Sequence, residues 1–278
     1  MSSFQRARET LGKQLRELRE QTGLNGKEFA GRLQWQPAKV SRLETGQRTP
    51  SRTDISEWTA AAGVPECTDE LIIRLSALDE MYATWHRQFR AGMKSRQAVG
   101  LDIESTTSLL RVYEPGIVPG LLQTPDYARC VFEANASLYG FSPDIEDAVT
   151  ARMERQRILY ESNRQLHFVV TEGGLRNPIA SADIMRAQLD RLVTAAALST
   201  VALGVIPLDV QLPIALKGGF WLFDDRQVLT ETVSAELSVS EPSEVQMYAR
   251  TFQVLADAAL YGDASRQKLI EIQDRYAA

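Results

Sequence analysis

Only Gln34 and Trp35 separate two short amphipathic segments of this chain, and a link of that length forces two helices to cross steeply. The segment before the link starts at Asn25, a favourable N-cap, and places Phe29, Ala30 and Leu33 on one face. The segment after it opens on Gln36 and Pro37, a cap and a first helical position, and turns Val40 and Leu43 inward. Upstream, Leu11, Leu15 and Leu18 recur at spacings of four and three, which predicts a helix over about residues 8–21, ended by Thr22-Gly23. Downstream, Gly46 stops the third helix. Ser51, with Asp54 three residues later, starts a fourth over about residues 52–62, and Gly63-Val64-Pro65 closes it. The order and steep crossing are those of a helix-turn-helix.

Charge is placed unevenly along the chain. Residues 1–66 carry 11 Lys/Arg against 8 Asp/Glu, leaving 20 against 28 of the chain's 31 and 36 for the rest. A polyanion is therefore drawn to the small N-terminal segment and repelled by the bulk.

The run Leu24-Asn25-x-x-Glu28-Phe29-Ala30-x-x-Leu33, followed by Val40-Ser41-Arg42-Leu43-Glu44-x-Gly46-x-Arg48-x-Pro50-Ser51, resembles the Xre-type, lambda-repressor-like helix-turn-helix family over residues 9–65. The resemblance implies a four- or five-helix domain that binds operator DNA as a homodimer with its third helix in the major groove. Residue by residue, it implies that Pro37, Ala38, Lys39, Ser41 and Arg42 face the groove. Arg42 leads, since a guanidinium can bond both O6 and N7 of guanine. Lys39 and Ser41 are expected on bases or phosphates, Ala38 against a thymine methyl, and Gln36 as cap and DNA contact. Gln47, Arg48, Thr49 and Arg52 correspond to the loop that grips phosphates. Three departures stand out. Gly26 occupies a position where the family often has a phosphate-binding side chain. Gln34 stands where the tight turn usually has Gly, so either its backbone is left-handed at some cost or the turn differs slightly. Gly31 weakens the second helix by about 1 kcal/mol relative to alanine.

Beyond Thr68, the residues Leu71, Leu75, Leu78, Tyr82, Trp85 and Phe89 follow spacings of four, three, four, three and four. They predict one long helix to about residue 93, with a seam that packs on the C-terminal domain or pairs two protomers. This gives a domain division of 1–66 for DNA binding, 67–96 for the connecting helix and 97–278 for regulation, dimerisation or partner binding.

In the last segment, the stretch Arg111-Val112-Tyr113-Glu114-Pro115-Gly116-Ile117-Val118-Pro119-Gly120, continuing to Arg129, is the most distinctive. It resembles the signature of a large C-terminal domain of unknown function that accompanies Xre-type domains in regulators of filamentous soil bacteria. Thr124-Pro125 starts a helix to about residue 136. Strands are expected at 166–171, 201–207, 220–223 and 228–232, and helices at about 182–198 and 243–260. The fold class is thus an all-α helix-turn-helix bundle joined by a long helix to a mixed α/β (α+β) domain. Gly218-Gly219 and Gly173-Gly174 mark tight loops at strand ends, and Trp221, Phe223, Tyr113 and Tyr127 are candidate pocket aromatics. Arg152, Arg155 and Arg157 are read as a solvated helix face, and His167 as facing the surface or a carboxylate.

What the chain lacks argues against the remaining classes, though motif counting leaves carboxylate-only catalysis open. The most apolar run, residues 193–206, is 14 residues long, short of the roughly 20 that span a bilayer, so no membrane association is expected. The polar N-terminus has no signal-peptide core, which points to the cytoplasm. Cys67 and Cys130 make no disulfide framework, and His86 has no second ligand at metal spacing. Nucleophile elbow, phosphate loop, His-Glu-x-x-His and Cys-x-x-Cys motifs are all missing, so no catalysis, cofactor or metal is expected. The expected partners are double-stranded DNA, a second copy of the chain, and a small companion protein or small-molecule effector. The rival to a ligand-responsive regulator is an antitoxin-like protein that chiefly holds such a companion.

Overall fold

The computed structural model describes residues 3–84, 93–140, 144–215 and 217–276, and divides into two units, Met1–Ala83 and Thr84–Ala278.

The first unit is a helical bundle: α1 (Ser3–Gln21), α2 (Gly26–Arg32), α3 (Pro37–Glu44), α4 (Arg52–Ala62) and α5 (Thr68–Met81). Its helix ends follow local chemistry. The Asn25 side chain accepts from Lys27 and Glu28 N–H groups while Glu28 reaches back to the Asn25 N–H, and Ser51 with Asp54 repeats the device. Gly63 ends α4 at φ 78°. Phe29, Leu11, Leu15, Val40, Leu43 and Ile55 close around Trp58, whose indole N–H donates to the Leu15 carbonyl at 2.9 Å.

The connecting helix departs from expectation. It ends at Met81, and a three-residue strand, β1 (Tyr82–Thr84), follows. The stretch Tyr82 to Trp85 contains aromatic and β-branched residues that favour extended backbone over helix, so the seven-residue spacing outlasts the helix itself. Leu71, Leu75 and Leu78 are buried in the core of the first unit, with α5 packed on α1 and α4. Those three leucines are therefore spent on the first unit's own core, and residues 67–81 belong to the helical bundle. Trp85, His86 and Phe89 lie outside the described residues.

In the second unit, helix α6 (Met93–Ser105) precedes β2 (Leu109–Glu114). Two further helices, α7 (Pro125–Tyr139) and α8 (Ile145–Arg155), lead to β3 (Gln165–Thr171). After α9 (Glu172–Arg176) and α10 (Ala182–Ala195) come β4 (Val201–Ile206), β5 (Phe220–Phe223), β6 (Gln227–Glu231) and β7 (Ala235–Val239). Helices α11 (Pro242–Asp257) and α12 (Gly262–Asp274) end the chain's described part. The strands within this unit lie in the order β7-β6-β5-β2-β3-β4. The β2, β3 and β4 strands are parallel, and β5 turns the sheet antiparallel on the other side of β2. Leu110, Val112, Phe168 and Val170 point into one buried layer and Tyr113 and Val169 into another, so the central strands are covered on both faces. Helices α10 and α12 pack on each other, and α12 contacts β4, while α11 packs on β2, β5 and β6.

Two expectations about side chains are corrected here. Arg155 is buried, not solvated: its Nε donates to Glu104 at 3.0 Å, and Arg152 bonds Gln123 and Gln97, leaving Arg157 as the exposed member. Burying a guanidinium requires a carboxylate beside it, and Glu104 supplies one. Among the described residues His167 meets no carboxylate; its Nε2 lies 2.8 Å from the Tyr261 hydroxyl, and burial, with the nearby Arg111, lowers its pKa. No helix among the described residues is long and apolar enough to cross a membrane.

Candidate nucleic-acid interface

The eight-residue α3 carries one apolar side and one open side. Val40 and Leu43 are 1% exposed, while Gln36, Pro37, Ala38, Ser41 and Arg42 are exposed. The turn before it depends on Gln34 at φ 56°, the left-handed one of the two conformations open to it in place of glycine.

What holds the helix at its far end is a set of contacts with α1. Arg19 Nε and Nη2 grip both oxygens of Glu44 at 2.5 and 3.1 Å, and Nη1 donates to the Leu24 carbonyl at 2.8 Å. The Glu44 hydrogen bond keeps the Arg19 pKa above its ordinary value in spite of burial. Gly12 lets the two helices touch, since a Cβ there would lie 2.5 Å from the Leu43 carbonyl oxygen and 2.7 Å from that of Glu44. Gly46, at φ 65°, then turns the chain, and the amides of Gln47 and Arg48 both donate to the Arg42 carbonyl at 2.9 and 3.0 Å.

The expected DNA contacts divide into two groups. Arg42 donates from Nε to the Ala38 carbonyl at 3.0 Å, which lays its stem along the helix and leaves the terminal nitrogens on the exposed face. Ala38 and Ser41 share that face, and Gln47, Arg48 and Arg52 follow as exposed residues with Thr49 half-buried. Arg52 touches the Ser76 hydroxyl at 3.3 Å. Lys39 is the correction. Its ammonium lies 2.5 Å from Asp54 Oδ1 and 3.3 Å from the centre of the Trp35 ring, so it anchors the turn to α4 and is not directed at a groove. The helical spacing that exposes position 38 and position 42 carries position 39 around to the side of Trp35.

Asp54 thus serves two helices, as capping acid for α4 and as counter-ion for α3. Burial opposes its ionisation, but Lys39 and the Ser51 amide and hydroxyl outweigh it, and its pKa falls below the ordinary 3.8. A depressed folded-state pKa contributes stability that is present above the unfolded value and lost as pH falls through the folded one. The bundle is therefore expected to lose stability on acidification below about pH 4, and Asp54→Asn is expected to flatten that loss in denaturant titrations read by tryptophan fluorescence.

Local patterning finds the open face but misses the residues that position it. Arg19, Gly12 and Trp58 act on α3 or its bundle from far along the chain. The one readable sign was Gly12 itself, a glycine inside a leucine-striped helix, which signals a close backbone approach. Among the described residues no group of His, Cys, Asp or Glu is arranged to hold a metal.

A family profile described as "Domain of unknown function (DUF5753)" matches residues 97–271, and one described as "Helix-turn-helix domain" matches residues 10–71. No curated protein matches the chain. Among solved structures, one similar chain is Nuc, a phospholipase D family member from Salmonella typhimurium. It has 13% identity and a TM-score of 0.33 over 60% of this chain and 90% of its own. Another is TrmBL2, described as an archaeal chromatin protein with a novel mode of DNA binding. It has 10% identity and a TM-score of 0.29 over 75% of this chain and 88% of its own. At those scores neither carries an argument about fold or function.

Proposed function

Because this chain belongs to the family defined by the domain of unknown function DUF5753, and carries a helix-turn-helix domain ahead of it, we propose that it is a sequence-specific DNA-binding transcriptional regulator. In this reading it acts in the cytoplasm as a homodimer on an inverted-repeat operator, with the second unit as its sensing and dimerisation half and no catalytic step of its own. The observation that carries the reading is the open face of α3. Ala38, Ser41 and Arg42 stand exposed on a helix whose other side is buried and whose end is clamped by Arg19 and Glu44. A short rigid helix with a polar edge ending in a guanidinium suits the major groove, where guanine presents two acceptors to one arginine. Arg48 and Arg52, beyond the helix, suit the phosphates on either side.

Selection of bound duplexes from a random pool tests this. Arg42→Ala is expected to relax preference at one base pair and to weaken the selected site by about 1–3 kcal/mol. Arg48→Ala is expected to weaken all duplexes alike and to reduce the salt slope by about one. An Arg42→Ala profile identical to that of the parent would remove α3 from the reading role. Two chains per selected duplex in sedimentation, on half-sites about 34 Å apart, are expected for the dimer. One chain per duplex would overturn it.

A further inference from the structure

Between the sheet of the second unit and the helices that cover it lies a cavity of about 160 Å³. A hollow of about 150 Å³ accepts a molecule the size of benzene. One wall is the sheet face that carries Glu114, Trp221 and Phe223, and α6, α7 and α8 supply the other.

The charges around this volume are met by the protein itself. Arg155 is paired with Glu104, and Arg152, Glu231 and Glu236 each hold interactions of their own. Arg152 also donates to Gln123 Oε1 at 2.5 Å and lies 4.1 Å over the Phe132 ring. Burial pushes the Glu114 carboxyl up to about 8, so near pH 7 it is largely uncharged, and the Trp221 indole N–H donates to its Oε1 at 3.0 Å. A charged ligand would give up its hydration here without gaining a counter-ion of its own.

What the wall lacks is a hydrogen-bond acceptor. Gln97 lines the cavity and is 4% exposed. Its Oε1 accepts from Arg155 Nη1 at 2.5 Å and from Arg152 Nε at 3.3 Å. Guanidinium groups only donate, so these two bonds decide which end of the amide is oxygen and turn Nε2 away from both arginines. Among the described residues nothing accepts from that Nε2. A buried amide donor left unpaired costs free energy, which a ligand oxygen recovers on binding.

We propose that this cavity binds a small uncharged carbonyl compound, its oxygen accepting from Gln97 Nε2 and its apolar body lying against Trp221 and Phe223. Arg152 and Arg155 act as positioning residues that hold the Gln97 amide in one orientation. The proposal rests on the reading of the second unit as the sensing half and names the chemistry that half would sense. Its test uses no DNA, so its failure and the failure of the operator reading show in different measurements.

Calorimetric titration of the full chain with cyclohexanone, cyclohexylamine and cyclohexanecarboxylate decides the matter. Expected are saturable cyclohexanone binding at one per chain, with half-saturation below about 10 mM, and at least about tenfold weaker binding of the amine and the acid. Gln97→Glu keeps an oxygen for both arginines and replaces the donor by a second acceptor. The variant is expected to keep the parent's circular dichroism, to bind cyclohexanone at least about tenfold more weakly, and to prefer the amine over the ketone. A merely structural Gln97 would not reverse that preference. Absence of saturable cyclohexanone binding up to about 10 mM, or equal binding of the amine or the acid, overturns the proposal without any variant. So does a folded Gln97→Glu chain that still prefers the ketone.

Discussion

Glu44→Ala is expected to destabilise the helical bundle by about 3 kcal/mol and to weaken specific DNA binding, because it leaves the buried Arg19 guanidinium with only the Leu24 carbonyl and the half-exposed Glu20 carboxylate at 3.5 Å. The side chains of Arg19 and Glu44 are 8% and 10% exposed, so water does not replace the lost carboxylate. Against a total stability of roughly 5–15 kcal/mol for a domain, such a loss leaves much of the population unfolded at modest denaturant concentrations. Denaturant titration read through Trp35 and Trp58 measures it. The control is the double variant Arg19→Met with Glu44→Leu. Removal of both charges avoids the stranded ion, and the pair is expected to recover most of the stability. If the single variant loses under about 1 kcal/mol, the clamp on α3 is peripheral and the helix is positioned by its apolar side alone.

Glu104→Ala is expected to have a comparable effect, about 3–5 kcal/mol, on the second unit. Arg155 bonds Glu104 from Nε at 3.0 Å and donates to Gln97 from Nη1 at 2.5 Å. Its guanidinium also lies against Gly100, where a Cβ would sit 2.7 Å from Cζ. With the carboxylate gone, that flat group keeps one amide oxygen for company in a space shaped for an ion pair. Thermal unfolding followed by circular dichroism reports the change. A Glu104→Ala chain that melts with the parent would make the pair energetically idle.

The helical bundle is legible from sequence because its determinants are local. Asn25, Ser51, Gly46 and Gly63 act within a few residues of the helix ends they define, and Gln34 takes one of the two conformations open to it in place of glycine. The clamp is not legible, since Arg19 and Glu44 are 25 residues apart and nothing near either names the other. The spacing from Leu71 to Phe89 shows a different kind of limit. Periodicity says which side chains would share a face if the backbone stayed helical, and it does not say where the helix stops. In the second unit, β3, β4, β5 and β6 are readable as compact runs of Val, Phe, Ile and Leu. The β2 strand is harder, because Arg111 and Glu114 break its apolar run, and β7 carries Glu236 and Ser238 among its five residues. Trp221 and Phe223 do reach the cavity wall, as their candidacy suggests, whereas Tyr113 and Tyr127 are core. Arg155 reads as surface only because its partner Glu104 is remote in the chain.

If the first unit binds DNA as proposed, Lys39 bears on how the protein searches a genome. Held against Trp35 and Asp54, its ammonium is withdrawn from the pool of cations that adhere to any duplex through counterion release. In that reading the grip common to all sequences is weaker by one charge, and the contribution proposed for Arg42 at its base pair is left intact. Because competing sites vastly outnumber true ones, occupancy is governed by that ratio and not by absolute tightness. On the reading of α3 as the groove helix, a lysine held by the protein therefore sharpens discrimination while lowering overall affinity.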